Sequence, residues 1–293
     1  MSIIEKYLGE PTEEYIEELI EEHIEMDIKK EPNEDFEKRL EEYAQKYIEQ
    51  QNLKKCNDNK KKKEEPDIQI KKNSPFFIAI SFACDALIAC AKQLNIMGAQ
   101  YNEGYYGDLL AICAKNIKTE MEENRISIKP SKAFMQISRV IESETRDYHS
   151  TTYSLFFKTA AEVFQSFKTH EDDDNDEDDE PLTVDMWWSA LTSANQIISE
   201  ATDLSVGDRS MMDALIPAEL SLKDALDSGL SPVDAFRKAV EAAESSAEQT
   251  LNMPQTRLGY TLHQKFKYID SESHAVCIWM RAAYEGFKLK FGN

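Results

Sequence analysis

Apolar positions recur along most of this chain at the three- and four-residue spacing of a helix face, and long amphipathic stretches dominate. Near the start, Pro11 and Thr12 mark a helix beginning, with acidic residues in its first turn. Tyr15, Ile16, Leu19, Ile20, His23 and Ile24 then share one face, and Pro32 stops the helix. Phe36, Leu40, Tyr43, Tyr47 and Ile48 form the stripe of a second one. Further along, helices are expected near Phe77–Leu94, Leu109–Met121, Ser131–Glu142, Tyr153–Phe167, Val184–Thr202, Ser210–Leu226, Pro232–Leu251 and His274–Phe287. Ser231 caps the seventh of these, with Pro232 at its first position. Pro217 lies inside the sixth and predicts a kink. Only 9 Gly and 9 Pro occur in 293 residues, few for an α/β enzyme with many tight turns, which strengthens the all-α expectation.

Two charge runs divide this pattern. Lys54–Glu65 (KKCNDNKKKKEE) and Glu171–Glu180 (EDDDNDEDDE) repel themselves into solvated segments and bury nothing. The expected organisation is a small acidic helical module at 1–52, a charged linker at 53–74, and a helical domain at 75–293 carrying an acidic insertion at 171–180. So short a module buries too little surface to be stable alone, and is expected to dock on the larger domain or on a partner.

A net charge of −21 disfavours nucleic acid and anionic membranes as partners and favours a protein with a basic surface. The five cysteines are odd in number and form no CxxC pair; Cys84, Cys90 and Cys113 sit among apolar residues, so neither a disulfide framework nor a zinc site is expected. No apolar run approaches the ~20 residues of a membrane span, and the opening MSIIEKYLGEP lacks the basic flank and apolar stretch of a signal peptide. A cytoplasmic location is expected, with association to the cytoskeleton as one setting. No GxxxxGK[ST], HExxH, GxSxG or GxGxxG string occurs. Trp187 and Trp188 read as core or interface residues rather than a stacking platform.

The most specific string is VGDRSMMDALIPA, Val206–Ala218, which resembles the GD(K/R)TMLDALIPA signature of the ATP-binding DhaL domain of dihydroxyacetone kinases. Ala83–Gly107 (ACDALIACAKQLNIMGAQYNEGYYG) is similar to that family's first helix and LNxLDxxxGDGDxG loop, Leu94 and Asn95 matching the LN and Gly104 and Gly107 two of the glycines. Ser150–Ala161 (STTYSLFFKTAA) resembles the SGALYGLFLTAA helix start. Met186–Ile198 stands where the family has a helix leading into the signature, and Asp234–Tyr260 resembles its alanine-rich closing stretch, with TRLGYT in place of GRASYL. The resemblance spans Phe76 to Gly286 and implies an eight-helix up-and-down barrel that binds ATP at one end. The YLGEP opening with its two helices resembles the PWI-type helical module.

The resemblance also implies divalent cations held by three aspartates of the first loop, because hard cations need carboxylates that offset phosphate charge. Those positions here are Gly98, Glu103 and Tyr105, so one carboxylate of three remains, with Asp108 nearby. Asp147–Thr151 replaces a GGxSG-like phosphate loop, and only Ser150 matches. The positions carried over as nucleotide-binding, in vestigial form, are Ser150, Asp208, Arg209, Met211, Arg257 and Asp270; Glu103 and Asp108 are the candidate metal ligands. Tyr105 and Tyr106 are expected to fill the emptied phosphate site. None of the five histidines stands in the context of the family's substrate-capturing site, so that half of a kinase is expected on a partner chain. The expected function is therefore a non-catalytic, kinase-like structural or protein-interaction module with no cofactor. The alternatives are an ATP-binding subunit of a dihydroxyacetone or triose kinase using Mg–ATP, or nucleotide binding without transfer.

Overall fold

A computed structural model describes residues 74–101, 103–144, 147–167, 182–253 and 266–291. The chain divides into two units at Lys60 and Lys61, and all described residues belong to the second. The N-terminal module, the linker and the acidic insertion lie outside the described residues.

Every regular element among the described residues is helical, as the apolar spacing predicts. The α-helices are α1 (Pro75–Ala89), α2 (Ala91–Gly98), α3 (Tyr106–Glu122), α4 (Pro130–Glu144), α5 (Tyr148–Ser166), α6 (Val184–Thr202), α7 (Met212–Asp227), α8 (Pro232–Gln249) and α9 (Ser271–Phe291). Each of α3 to α9 packs on its neighbour in sequence, and α9 closes back onto α1, which also packs against α3. The result is a closed ring of eight helices with α2 as an added arm. The first expected helix, Phe77–Leu94, is in fact two: the chain bends by 57° between α1 and α2. Among the described residues no single helix is long and apolar enough to cross a membrane.

Local chemistry sets the helix ends. Thr183 and Ser231 accept the Met186 and Asp234 N–H groups at the starts of α6 and α8. Asp203 ends α6 in the left-handed conformation, φ 57°. The α7 helix runs unbroken through Pro217. Small side chains line the seam of α8, where Ala235, Ala239, Ala243 and Ala247 are all buried. Between α8 and α9 the buried Arg281 grips Glu244 through Nε at 2.9 Å and Nη2 at 2.5 Å. Trp187 packs edge-on to Phe164 at 4.8 Å, within an aromatic cluster that includes Phe76 and Phe134. That is a core role, as expected for it.

The thiols of Cys84 and Cys113 are pushed up to about 12 and about 11 by burial, and burial raises Cys277 as well. None of the described cysteines is in a disulfide. His274, on the inner face of α9, is held down to about 4 by burial, against an ordinary value of 6.5. A base whose folded pKa lies below its unfolded one destabilises the fold when the unfolded chain takes up the proton first. Stability from this group is therefore complete above pH 6.5 and declines as the pH falls toward 4, by up to about 3 kcal/mol. Urea unfolding at pH 7 and pH 4.5 checks it: His274→Gln should lose distinctly less stability over that interval than the parent.

Candidate functional site

Four segments distant in sequence meet at one place: the α2–α3 loop, the start of α5, the loop before α7, and the start of α9. In the first, a 3-10 turn (Ala99–Tyr101) folds the chain back so that the Glu103 N–H donates to the Gly98 carbonyl at 3.0 Å. Gly98 is required here. A Cβ at this position would stand 2.4 Å from the Glu103 carbonyl oxygen. Gln100 ties this loop to the segment before α9, its Oε1 accepting the Lys267 and Tyr268 N–H groups at 2.7 and 2.9 Å.

In the second segment Asp147 caps α5 by accepting the Ser150 N–H at 2.9 Å, which places His149 inward, 5 % exposed. In the third, the loop Ser205–Met211 wraps around Asp213. One Asp213 oxygen accepts the Gly207 N–H at 2.6 Å and the other the Ser210 N–H at 2.8 Å. Asp213 is fully buried, and burial raises its pKa against the lowering effect of those backbone donors. In the fourth, Asp270 caps α9 by accepting the Ser273 N–H at 2.8 Å, which turns Glu272 into the interior at 2 % exposure.

The centre of the site is His149. Its Nδ1 lies 3.0 Å from Glu272 Oε1, and its Nε2 lies 3.8 Å from Glu103 Oε2. The second Glu272 oxygen accepts the Met211 N–H at 3.2 Å, one turn end of α7. A backbone donor at a helix start is a natural anion acceptor, and here an internal carboxylate takes it. Ser273 Oγ donates to the Ser210 carbonyl at 2.5 Å and completes the link between α9 and the α7 loop. Tyr106, fully buried, packs its ring 4.7 Å from that of His149. Burial, with the charges of Glu272 and Asp270 adding to it, pushes the Tyr106 phenol well above its ordinary pKa. The Tyr106, Tyr153 and Ser271 hydroxyls are buried with no hydrogen-bond partner at good geometry, although the two phenols influence each other's ionisation.

The sequence-derived positions fall as follows. Glu103 and Met211 belong to this centre. Ser150 is buried beside it, its Oγ donating to the Asp147 carbonyl at 3.1 Å. Asp270 is buried and caps α9, its own N–H donating to Thr250 Oγ1 at 2.9 Å. Asp208 accepts both the N–H and the hydroxyl of Ser205 at 2.8 Å, and so shapes its own loop rather than capping α7. Arg209, fully buried with φ 60°, donates to the Thr250 and Tyr268 carbonyls and lies 3.9 Å over the Phe266 ring. Asp108 is exposed in the first turn of α3, its N–H held by Asn95 Oδ1 at 3.1 Å. Arg257 lies outside the described residues. Of the two tyrosines expected to fill the phosphate site, Tyr106 is buried against the His149 ring and Tyr105 stands 51 % exposed. Asp213, Gln100 and the pairing of His149 with Glu272 were not found from the sequence. The acidic residue in SMMDAL was the visible signal for Asp213; nothing in the spacing signals that His149 and Glu272, more than a hundred residues apart, face one another.

A pair of hard cations held by three carboxylates does not fit these residues. Gly98 has no room for a side chain, Tyr105 faces outward, and Glu103 is turned toward an imidazole. A single cation at Glu103 fits.

Residues 105–285 match the family model described as DAK2 domain. The human triokinase/FMN cyclase is 22 % identical over 210 residues, covering 71 % of this chain and 34 % of its own length. The dihydroxyacetone kinase of Komagataella pastoris is 25 % identical over 189 residues, 64 % of this chain and 29 % of that protein. The native crystal structure of the dihydroxyacetone kinase of C. freundii superposes with a TM-score of 0.55 at 18 % identity, over 71 % of this chain and 33 % of the other. The same enzyme, solved in complex with AMP-PNP and Mg2+, gives 0.53 at 19 % identity. The chain thus spans about a third of the length of the relatives it matches.

Proposed function

The chain belongs to the DAK2-domain family, and from that premise we propose that it serves the ATP-binding side of a dihydroxyacetone- or triose-kinase-type phosphoryl transfer. The observation that carries this reading is the convergence at His149. Two stretches that resemble the kinase domain, Ala83–Gly107 and Val206–Ala218, meet there with the starts of α5 and α9 in one continuous set of contacts. The names of the matching relatives, all kinases of small polyhydroxy ketones or trioses, support the same reading. In phosphoryl transfer the protein's contribution is positioning and charge neutralisation. Glu103 is the carboxylate that would hold the nucleotide's cation. The backbone N–H of Met211, at the start of α7, is the donor available to a phosphate once Glu272 is displaced. The acceptor substrate would be presented by a separate domain.

The reading is tested by mixing the full chain with a dihydroxyacetone-binding subunit and following ADP release from Mg–ATP. Release that depends on both proteins and falls at least tenfold in Glu103→Gln supports it. Release equal to that of the subunit alone, at every ratio of the two, counts against it.

A second reading has its own observation. Glu272 occupies the α7 N–H, and the Gly98 backbone closes on Glu103. Both favour a protein that keeps the ring as a structural or interaction module without transfer, and whose −21 charge suits a basic partner. Saturable nucleotide binding with no phosphate turnover would place the protein between the two readings.

A further inference from the structure

We infer that Glu103 and the Nε2 of His149 form a site for one borderline transition dication, of the Zn2+ or Co2+ class, which needs no nucleotide. One suitable donor atom from each of Glu103, His149 and Glu272 lies within 4.8 Å of the other two. Donor atoms around such an ion, with bonds of about 2.1 Å, stand roughly 3–4 Å apart. The 3.8 Å between His149 Nε2 and Glu103 Oε2 falls in that range. Glu272 has a different part. At 3.0 Å from Nδ1 it accepts that nitrogen's proton, fixes the tautomer, and leaves the Nε2 lone pair directed at Glu103. This carboxylate–imidazole–metal order is the arrangement by which proteins orient a ligating histidine.

Two further features support an ion. Two carboxylates face one imidazole in a largely buried space, with Glu272 and His149 at 2 % and 5 % exposure. Such a group offers a cation anionic oxygen ligands beside a nitrogen donor. The Tyr106 hydroxyl, on the ring that packs against His149, is buried without a hydrogen bond of good geometry, and ion-bound water would supply one. The imidazole donor decides the metal class, because nitrogen favours borderline ions over Mg2+ and Ca2+. The buried thiols do not compete, since burial keeps those of Cys84 and Cys113 protonated at neutral pH.

The inference goes beyond the kinase reading, and its test uses no ATP. The metal-free full chain is titrated with Co2+ and followed by visible absorption and by NMR of histidine labelled in the ring. One equivalent should give a nitrogen-containing d–d spectrum. It should shift the ring signals of one histidine of the five strongly, before any other responds. His149→Gln should abolish that spectrum, and Glu272→Gln should weaken binding by about 10- to 100-fold. A variant with the acidic run Glu171–Glu180 neutralised should keep the site. Cobalt bound only as the aqua ion, uptake that disappears with the acidic run, or a spectrum unchanged in His149→Gln would overturn the inference. The labelled parent protein carries the test even where a variant fails to fold. Cobalt binding without ADP release in the kinase assay defeats the kinase reading and leaves this one standing; the converse result does the reverse.

Discussion

Arg209→Ala lowers the unfolding free energy by about 3–5 kcal/mol, read as a lower urea midpoint with unchanged slope. The guanidinium is fully buried and donates to the Thr250 and Tyr268 carbonyls. Hydrogen bonds from a charged donor are worth about 1.5–3 kcal/mol each. The same side chain also fills the space against Phe266, so truncation adds a cavity. It is this residue that fastens the loop before α7 to the ends of α8 and to the approach of α9. Lysine should not rescue it, because one ammonium cannot reproduce a planar fork reaching two acceptors and stacking on a ring. A loss below about 1 kcal/mol in Arg209→Ala would show that the strap contributes little.

Gly98→Asp should cost about 2–3 kcal/mol and gain no cation affinity. On the sequence alone it looks like a repair, since it returns a carboxylate to a position where the family resemblance expects one. In the fold its Cβ meets the Glu103 carbonyl oxygen at 2.4 Å and the carbonyl carbon at 3.1 Å. Those are backbone atoms and cannot swing aside. The loop would have to open, which breaks the Glu103 N–H to Gly98 bond and moves Glu103 away from His149. Gly98→Ala should show a similar loss, because the clash begins at Cβ. A Gly98→Asp protein as stable as the parent, with tighter Mg2+ binding, would mean that the loop retains the older geometry.

The ring was legible in the sequence because its signals are local. The 3.6-residue spacing, the Ser231–Pro232 start and the bounds of Val184–Thr202 are set by neighbours within a turn or two, and the structure reproduces them. The break at Cys90 was not legible: no Pro or Gly stands there, and the bend follows from how α2 packs on α3. The site was legible only as a list. Asp208 and Arg209 look like phosphate-binding residues in a resembling string, yet tertiary contacts commit one to its own loop and the other to a buried strap. In the sequence His149 stands only as a bulky residue where the resemblance expects a glycine loop, and Glu272 as one acid among many. Together they face one another at 3.0 Å at the centre of the site. Pairings of that kind depend on ring closure, which no window of sequence contains.

The most direct test of the central claim is calorimetric titration of the full chain with Mg–ATP. The account predicts saturable binding of one nucleotide per chain, weakened at least tenfold in Glu103→Gln and strengthened in Glu272→Gln, where the α7 N–H is no longer held by an internal anion. Absence of binding heat for the parent and both variants would contradict it, and would leave the ring as a fold without the nucleotide chemistry of its relatives.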